Sequence, residues 1–163
     1  MTKVLFIHGK ESGPHGSKYH ALVKAGFDVI APDLQGMDLR RRVLAIIPII
    51  KEHHPFIVGS SLGGVTAILA AMSAREELPG LVLCAPRLTW YPHSWRSRLE
   101  QLHVENTPIT IVHGLHDSIV PDSFSREYAW IHKSKFVEVN DDHRLSNSVD
   151  VIVDELKSMI SAT

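Results

Sequence analysis

A single cysteine, Cys84, leaves no partner for an internal disulfide and fits a reducing compartment. No apolar run approaches the ~20 residues of a membrane span. The run over residues 4–7 is also too short for the core of a signal peptide. Charge of one sign is missing as well, and a formal net charge of -1 gives no electrostatic basis for binding nucleic acid or an anionic membrane. No internal repeat, low-complexity tract or linker divides the chain. These absences leave one domain over residues 1–163, expected in the cytoplasm and large enough to bury a core. Its 44% apolar and 21% charged residues are ordinary for a soluble protein, so function has to be read from local motifs.

Residues 3–8 form a β-rich apolar run, and residues 27–31, 55–58, 81–84, 109–112 and 136–139 read as further strands. Helix patterns run between them. Ser17 is placed to cap a short helix with Tyr19, Leu22 and Val23 inward, closed by Gly26. Leu39, Val43, Ile46, Ile47 and Ile50 share one helical face, with Arg40, Arg41 and Arg42 mostly off it as a solvated face. Pro48 interrupts that pattern, and an interior proline costs ~3 kcal/mol, so a kink or a restart is expected there. Residues 62–74 read as a helix whose Gly63, Ala67, Ala70, Ala71 and Ala74 allow close approach to a sheet. Phe124, Tyr128 and Ile131 mark another helix, and Val149, Ile152, Val153, Leu156 and Ile160 a last amphipathic one. The alternation predicts an α/β protein, a three-layer α/β/α sandwich around a mostly parallel six-stranded sheet. Ligands of such sheets bind at the carboxyl ends of the strands.

At one of those ends, Gly59-x-Ser61-x-Gly63 joins the strand at 55–58 to the helix at 62–74. That is the context of a nucleophile elbow, a sharp turn that lifts a serine oxygen above the sheet edge, with glycines where neighbours come close. A serine hydroxyl is a poor nucleophile at neutral pH and needs a base, usually a histidine oriented by a carboxylate. His143 follows the sixth strand and Asp117 follows the fifth, which makes Ser61, Asp117 and His143 the candidate catalytic set. Asp117 has a rival role as cap of the helix starting near Pro121, for which Asp122 is better placed. Asp141 and Asp142 adjoin His143 and would more naturally hold its loop. Among 11 histidines His143 is distinguished by position. His8 reads as structural, His53 and His54 close a helix, and His15, His20, His93, His103 and His132 read as surface residues.

Acyl transfer also needs N–H donors for the oxyanion. Leu62, directly after the nucleophile at a helix N-terminus, supplies one candidate. Lys10, directly after the His8-Gly9 turn, supplies the other. Residues 86–106 carry Trp90, Tyr91 and Trp95, read either as an acyl or aryl wall near Ser61 or as packing over the sheet edge.

Taken together, Phe6-Ile7-His8-Gly9, Ser12-Gly13-Pro14 with Ser17-Lys18, Gly59-Ser60-Ser61-Leu62-Gly63-Gly64, His113-Gly114 with Asp117 and Val120-Pro121, and Asp142-His143 sample nearly the whole chain in order. In these segments the chain resembles the α/β-hydrolase superfamily, and within it the small lidless esterases of the YqiA type. The resemblance implies a reduced α/β-hydrolase fold with strand order 2-1-3-4-5-6, so that the loops carrying Lys10 and Leu62 face each other. It also implies a short insert over about 86–106 in place of a lid. Larger members begin with extra strands, and none fits ahead of Lys3. Lys10 stands where these esterases often carry an apolar or aromatic residue.

The function expected is hydrolysis of a small carboxylic ester or thioester through an acyl-enzyme on Ser61, with no cofactor and no metal. The oligomeric state is left open. A catalytically silent binding protein on the same fold is the alternative. A metal hydrolase built on His113-x-x-His116-Asp117 lacks the fuller ligand set of known metal motifs. A nucleotide-binding domain would need G-x-G-x-x-G or a P-loop lysine, and neither is present.

Overall fold

The computed structural model describes residues 1–90 and 95–163, with side chains outside 90–97. Strands and helices alternate as β1 (Lys3–Ile7), α1 (Ser17–Lys24), β2 (Asp28–Ile30), α2 (Leu39–His53), β3 (Phe56–Ser60), α3 (Leu62–Ala74) and β4 (Leu81–Cys84). They continue as α4 (Trp95–Gln101), β5 (Ile109–Gly114), α5 (Asp122–His132), β6 (Lys135–Val139) and α6 (Val149–Ser161). Among the described residues every strand pair is parallel, in the order β2-β1-β3-β4-β5-β6.

The side-chain period of two along each strand sorts the core into two halves. Leu5 and Ile7 of β1, Ile57 of β3, Leu81 and Leu83 of β4 and Ile111 of β5 point to one face, where Ile46, Ile50, Ile68 and Tyr128 meet them. Val4, Phe6, Val58, Val82 and Val112 point to the other, against Leu22 of α1 and Ile152 and Leu156 of α6. Helices α2, α3, α4 and α5 therefore cover one face and α1 and α6 the other. This is the three-layer sandwich that the alternation predicted.

Several local expectations need correction. Ser17 is the first residue of α1 and makes no cap bond. The cap position is Gly16, and Val23 is exposed rather than inward. Of the kink or restart expected at Pro48, the restart does not occur, and α2 runs through it as one helix. Its ring and Leu44, whose carbonyl loses the usual N–H partner, both lie on the exposed side, where solvent can take up that carbonyl. Asp122 forms no N-cap bond to α5, and its carboxylate accepts from Arg126 instead.

The largest departure is Arg42. Arg40 and Arg41 are solvated as expected, but Arg42 is 1% exposed. It lies three residues after Leu39 and four before Ile46, both buried, which puts it on the inward side of α2.

Candidate active site

Parallel pairing of β1 with β3 runs through Ile7 opposite Gly59, so extending the register by two residues sets Gly9 beside Ser61. A side chain on Gly9 would start 3.5 Å from the Ser61 Cβ. Ser61 itself is held at φ 55° and ψ −114°, a left-handed backbone costing roughly 1–3 kcal/mol for a residue with a Cβ. Three backbone bonds fix that conformation. Ser61 N–H donates to the Cys84 carbonyl, and the Ser61 carbonyl accepts from Gly64 and Arg87, each at 2.9 Å. The turn closes this tightly only because Gly63 has no side chain, since a Cβ there would collide with the Ile7 carbonyl. A Cβ on Gly59 would lie 2.6 Å from the Gly63 carbonyl oxygen.

Asp117 follows β5 and His143 follows β6, and both line up with Ser61. The Ser61 hydroxyl donates to His143 Nε2 at 3.0 Å, and His143 Nδ1–H donates to Asp117 Oδ2 at 2.7 Å. A carboxylate can only accept, so the imidazole proton sits on Nδ1 and Nε2 faces the serine as an acceptor. The Asp117 side chain is fully buried. Its other oxygen accepts from the Ile119 and Val120 N–H groups at 2.9 and 2.8 Å, which fixes the carboxylate within its own loop. It does not cap α5, whose cap position is Pro121.

His113 takes a supporting role here rather than that of a metal ligand. His113, buried at the end of β5, has Nε2 3.0 Å from Asp117 Oδ2. That N–H donates to the Val120 carbonyl at 2.9 Å, and Nδ1 accepts from Ser125 at 2.7 Å. The signal was a histidine closing an apolar strand four residues before the acid.

Asp141 and Asp142 act on the loop that carries His143. Asp141 is buried and accepts from the Asp142 and Asn147 N–H groups and from the Ser148 hydroxyl. Burial opposes its ionisation. The hydrogen bonds from Ser148, Asp142 and Asn147, with the charge of Lys18, together outweigh that and hold the carboxyl below its ordinary range. Asp142 accepts from the Arg144 N–H.

On the opposite side of Ser61, His8 is buried and bonded at both ring nitrogens. Leu34 N–H donates to Nε2 at 2.8 Å, so the proton lies on Nδ1, which donates to the Gly9 carbonyl at 2.7 Å. Burial, aided by the nearby Arg42 charge, keeps the ring below the usual imidazole pKa although the Gly9 bond opposes this. Beneath it Arg42 donates from Nη1 to the His8 carbonyl at 2.6 Å and from Nη2 to the Gly9 carbonyl at 3.1 Å.

A cleft of about 430 Å³ opens over this arrangement, lined among others by Gly9, Lys10, Ser12, Ser61, Ile119 and His143. The Lys10 side chain is exposed at its edge, while the Leu62 side chain is buried below it. Among the described residues neither the Lys10 nor the Leu62 N–H has a hydrogen-bond partner. Tyr91 and His93 lie outside the described residues, and so do the side chains of Trp90 and Trp95. Cys84 is no rival nucleophile, because burial pushes its thiol up to about 11. His113 and His116 have separate partners, the latter pairing with Asn140 at 2.9 Å. Among the described residues no group of three or more His, Cys, Asp or Glu is set to hold a metal, and no helix is long and apolar enough to cross a membrane.

Comparison with known proteins agrees with the fold. An alpha/beta-superfamily protein from Xanthomonas campestris pv. campestris superposes with a TM-score of 0.82 at 23% identity, over 100% of both chains. Est1E from Butyrivibrio proteoclasticus gives 0.81 at 18% identity, over 98% of this chain and 88% of that one. Alpha/beta hydrolase domain-containing protein 10 from mouse gives 0.78 at 20% identity, over 98% and 90%. No curated protein sequence matches the chain. The family model described as "Alpha/beta hydrolase family" matches residues 4–150, and the chain belongs to that family.

Proposed function

We propose that the protein is a serine hydrolase that cleaves a small carboxylic ester or thioester through an acyl-enzyme on Ser61. The observation that carries this reading is the unbroken line of short contacts from Ser61 Oγ to His143 Nε2 and from His143 Nδ1 to Asp117 Oδ2. As Oγ attacks the carbonyl carbon, His143 takes the hydroxyl proton, and Asp117 stabilises the imidazolium and keeps its tautomer. The Leu62 and Lys10 N–H groups receive the oxyanion. Collapse expels the alcohol or thiol, which leaves with the proton held on His143. Water, activated by the same imidazole, then releases the acid and restores the serine.

The scope of the substrate follows from the cleft. Arg87 is among the residues lining it, and we read residues 86–106 as a short insert within a single domain 1–163, with Trp90, Tyr91 and Trp95 as candidate wall residues. A small ester with no nucleic-acid or membrane partner, processed in the cytoplasm without a cofactor, fits this arrangement. A fluorophosphonate probe tests the reading by mass spectrometry. We expect one adduct, on Ser61, and a loss on the order of 10⁶ in kcat on short p-nitrophenyl esters for Ser61→Ala, with melting nearly unchanged. Retained turnover in that variant removes Ser61 as nucleophile, and absence of an adduct on folded protein leaves the silent binding protein.

A further inference from the structure

Arg42 is a fully buried cation for which, among the described residues, no carboxylate lies within ion-pairing distance. Its Nε is a buried donor without a partner. Burial lowers its pKa, yet a guanidinium stays charged throughout the accessible range. A buried charge without a counter-ion is costly to hold, so the groups that Arg42 does reach have to offset that cost. The two groups that Arg42 does reach are consecutive carbonyls, those of His8 and Gly9, at the point where β1 runs into the loop beside Ser61.

The second of these carbonyls matters most. The Gly9 oxygen accepts from Arg42 Nη2, from His8 Nδ1–H and, at 3.4 Å, from the Ser12 hydroxyl. A peptide unit is planar and trans, so the Gly9 carbonyl and the Lys10 N–H point in opposite directions. Turning the oxygen inward onto Arg42 and His8 turns the N–H outward, on the side where Gly9, Lys10 and Ser61 line the cleft. Gly9 has no side chain to restrict its backbone, so without an anchor this peptide could rotate and aim its oxygen at the cleft. A carbonyl there would repel an oxyanion.

We infer that Arg42 is a positioning residue for catalysis: it locks the Gly9–Lys10 peptide so that the Lys10 N–H is presented to the oxyanion formed on Ser61. The inference rests on the serine-hydrolase reading for its catalytic consequence, and on the peptide geometry alone for its structural one. His8 is the second half of the clamp. Its neutral Nδ1–H form is fixed by the Leu34 N–H on its other nitrogen, so it donates to Gly9 while Arg42 holds the same oxygen from below.

The test uses Arg42→Met and Arg42→Lys in the full chain, read three ways. Steady-state kinetics on a short p-nitrophenyl ester should show kcat falling ~10²–10³-fold in Arg42→Met with KM within about threefold, as for loss of one oxyanion donor. The inhibition constant of a trifluoromethyl ketone, which forms a tetrahedral adduct on the serine, should rise by a similar factor. A crystal structure of the variant should show the Gly9 carbonyl rotated toward the cleft. Arg42→Lys keeps the charge but can reach only one carbonyl well, so it should fall between the two, and it carries all three readouts where Arg42→Met does not fold. A folded variant with kcat and ketone affinity within about threefold of the parent overturns the inference. So does one whose activity falls while the Gly9 carbonyl keeps its orientation. If the parent protein neither turns over esters nor labels at Ser61, the functional reading fails separately, and an unmoved Gly9 carbonyl then overturns the role of Arg42 by itself.

Discussion

The two flanks of Ser61 are supported by buried charges of opposite sign acting on different kinds of group. On the β5–β6 flank the proposed reacting groups are side chains, and carboxylates support them: Asp117 against His143, and Asp141 under the loop that carries His143. On the β1 flank the group presented to the cleft is a peptide, and a guanidinium supports it from the far side. The difference lies in what each flank demands of sequence. A side chain that moves a proton must be a particular residue at a particular place. A peptide N–H is available from almost any residue, and the exposed Lys10 side chain has no part in the clamp. Specificity on that flank moves to the residue that turns the peptide.

The sharpest way to break this comparison is to alter the β5–β6 flank. In Asp117→Asn the retained oxygen can still accept from Ile119 and Val120, but the new amide faces His143 Nδ1 and favours the wrong tautomer. We expect kcat to fall on the order of 10⁴-fold, measured on a short ester, with little change in melting. An equal loss from Asp142→Asn would move the acid to the β6 loop and dissolve the division between the carboxylate that orients His143 and the one that holds its loop.

The same division explains what could be read from the amino-acid sequence. The strand-to-helix glycines around Ser61, Asp117 after the fifth strand and His143 after the sixth are legible as candidates because the proposed chemistry needs each residue type where it stands. The six-strand alternation was legible because period-two runs of Val, Ile and Leu fill both faces of the sheet. Arg42 was not, because the neighbouring Arg40 and Arg41 are solvated and a run of three basic residues looks like one surface. Its spacing from Leu39 and Ile46 carried the information, but burying an arginine there is reasonable only once the His8 and Gly9 carbonyls are known to lie beneath α2. The restart considered at Pro48 fails for a related reason. The rule about interior prolines describes the cost of the lost bond, and that cost falls where the freed carbonyl can meet water.

Asp141→Asn sharpens the comparison at a smaller scale, because it weakens support for the loop without touching the reacting groups. An amide has one accepting atom where the carboxylate uses both of its oxygens on Asp142, Asn147 and Ser148. We expect a stability loss of about 1–3 kcal/mol at pH 7 and a fall of about tenfold or less in kcat. The pH dependence follows from the lowered pKa of Asp141 in the folded state. Its stabilising contribution is complete above the unfolded-state value of ~3.9 and is lost as pH falls through the lower folded-state value. The gap in melting temperature between parent and variant should therefore hold steady from neutral pH downward and close in acid, below about pH 4. A gap that is constant through that range would show that Asp141 is not the ionised anchor.

The smallest effect belongs to Lys18, whose ammonium on α1 donates to the Arg144 carbonyl at 2.7 Å and so ties the two flanks together at the cleft mouth. This bond is exposed, and exposed charged contacts contribute roughly 0–1 kcal/mol. Lys18→Met should accordingly leave kcat within about twofold and change stability at pH 7 by less than about 1 kcal/mol. Its distinguishing signature lies in acid. The Lys18 charge is one of the influences that hold Asp141 down, so removing it raises the folded-state pKa of Asp141 toward the unfolded value. The onset of acid destabilisation should then move to higher pH, in the direction opposite to a generic relief of positive-charge repulsion, which would move it lower. Melting curves from pH 7 to pH 3 separate the two. A shift to lower pH would mean that Lys18 acts on the net charge of the protein and that the two flanks are held independently of each other.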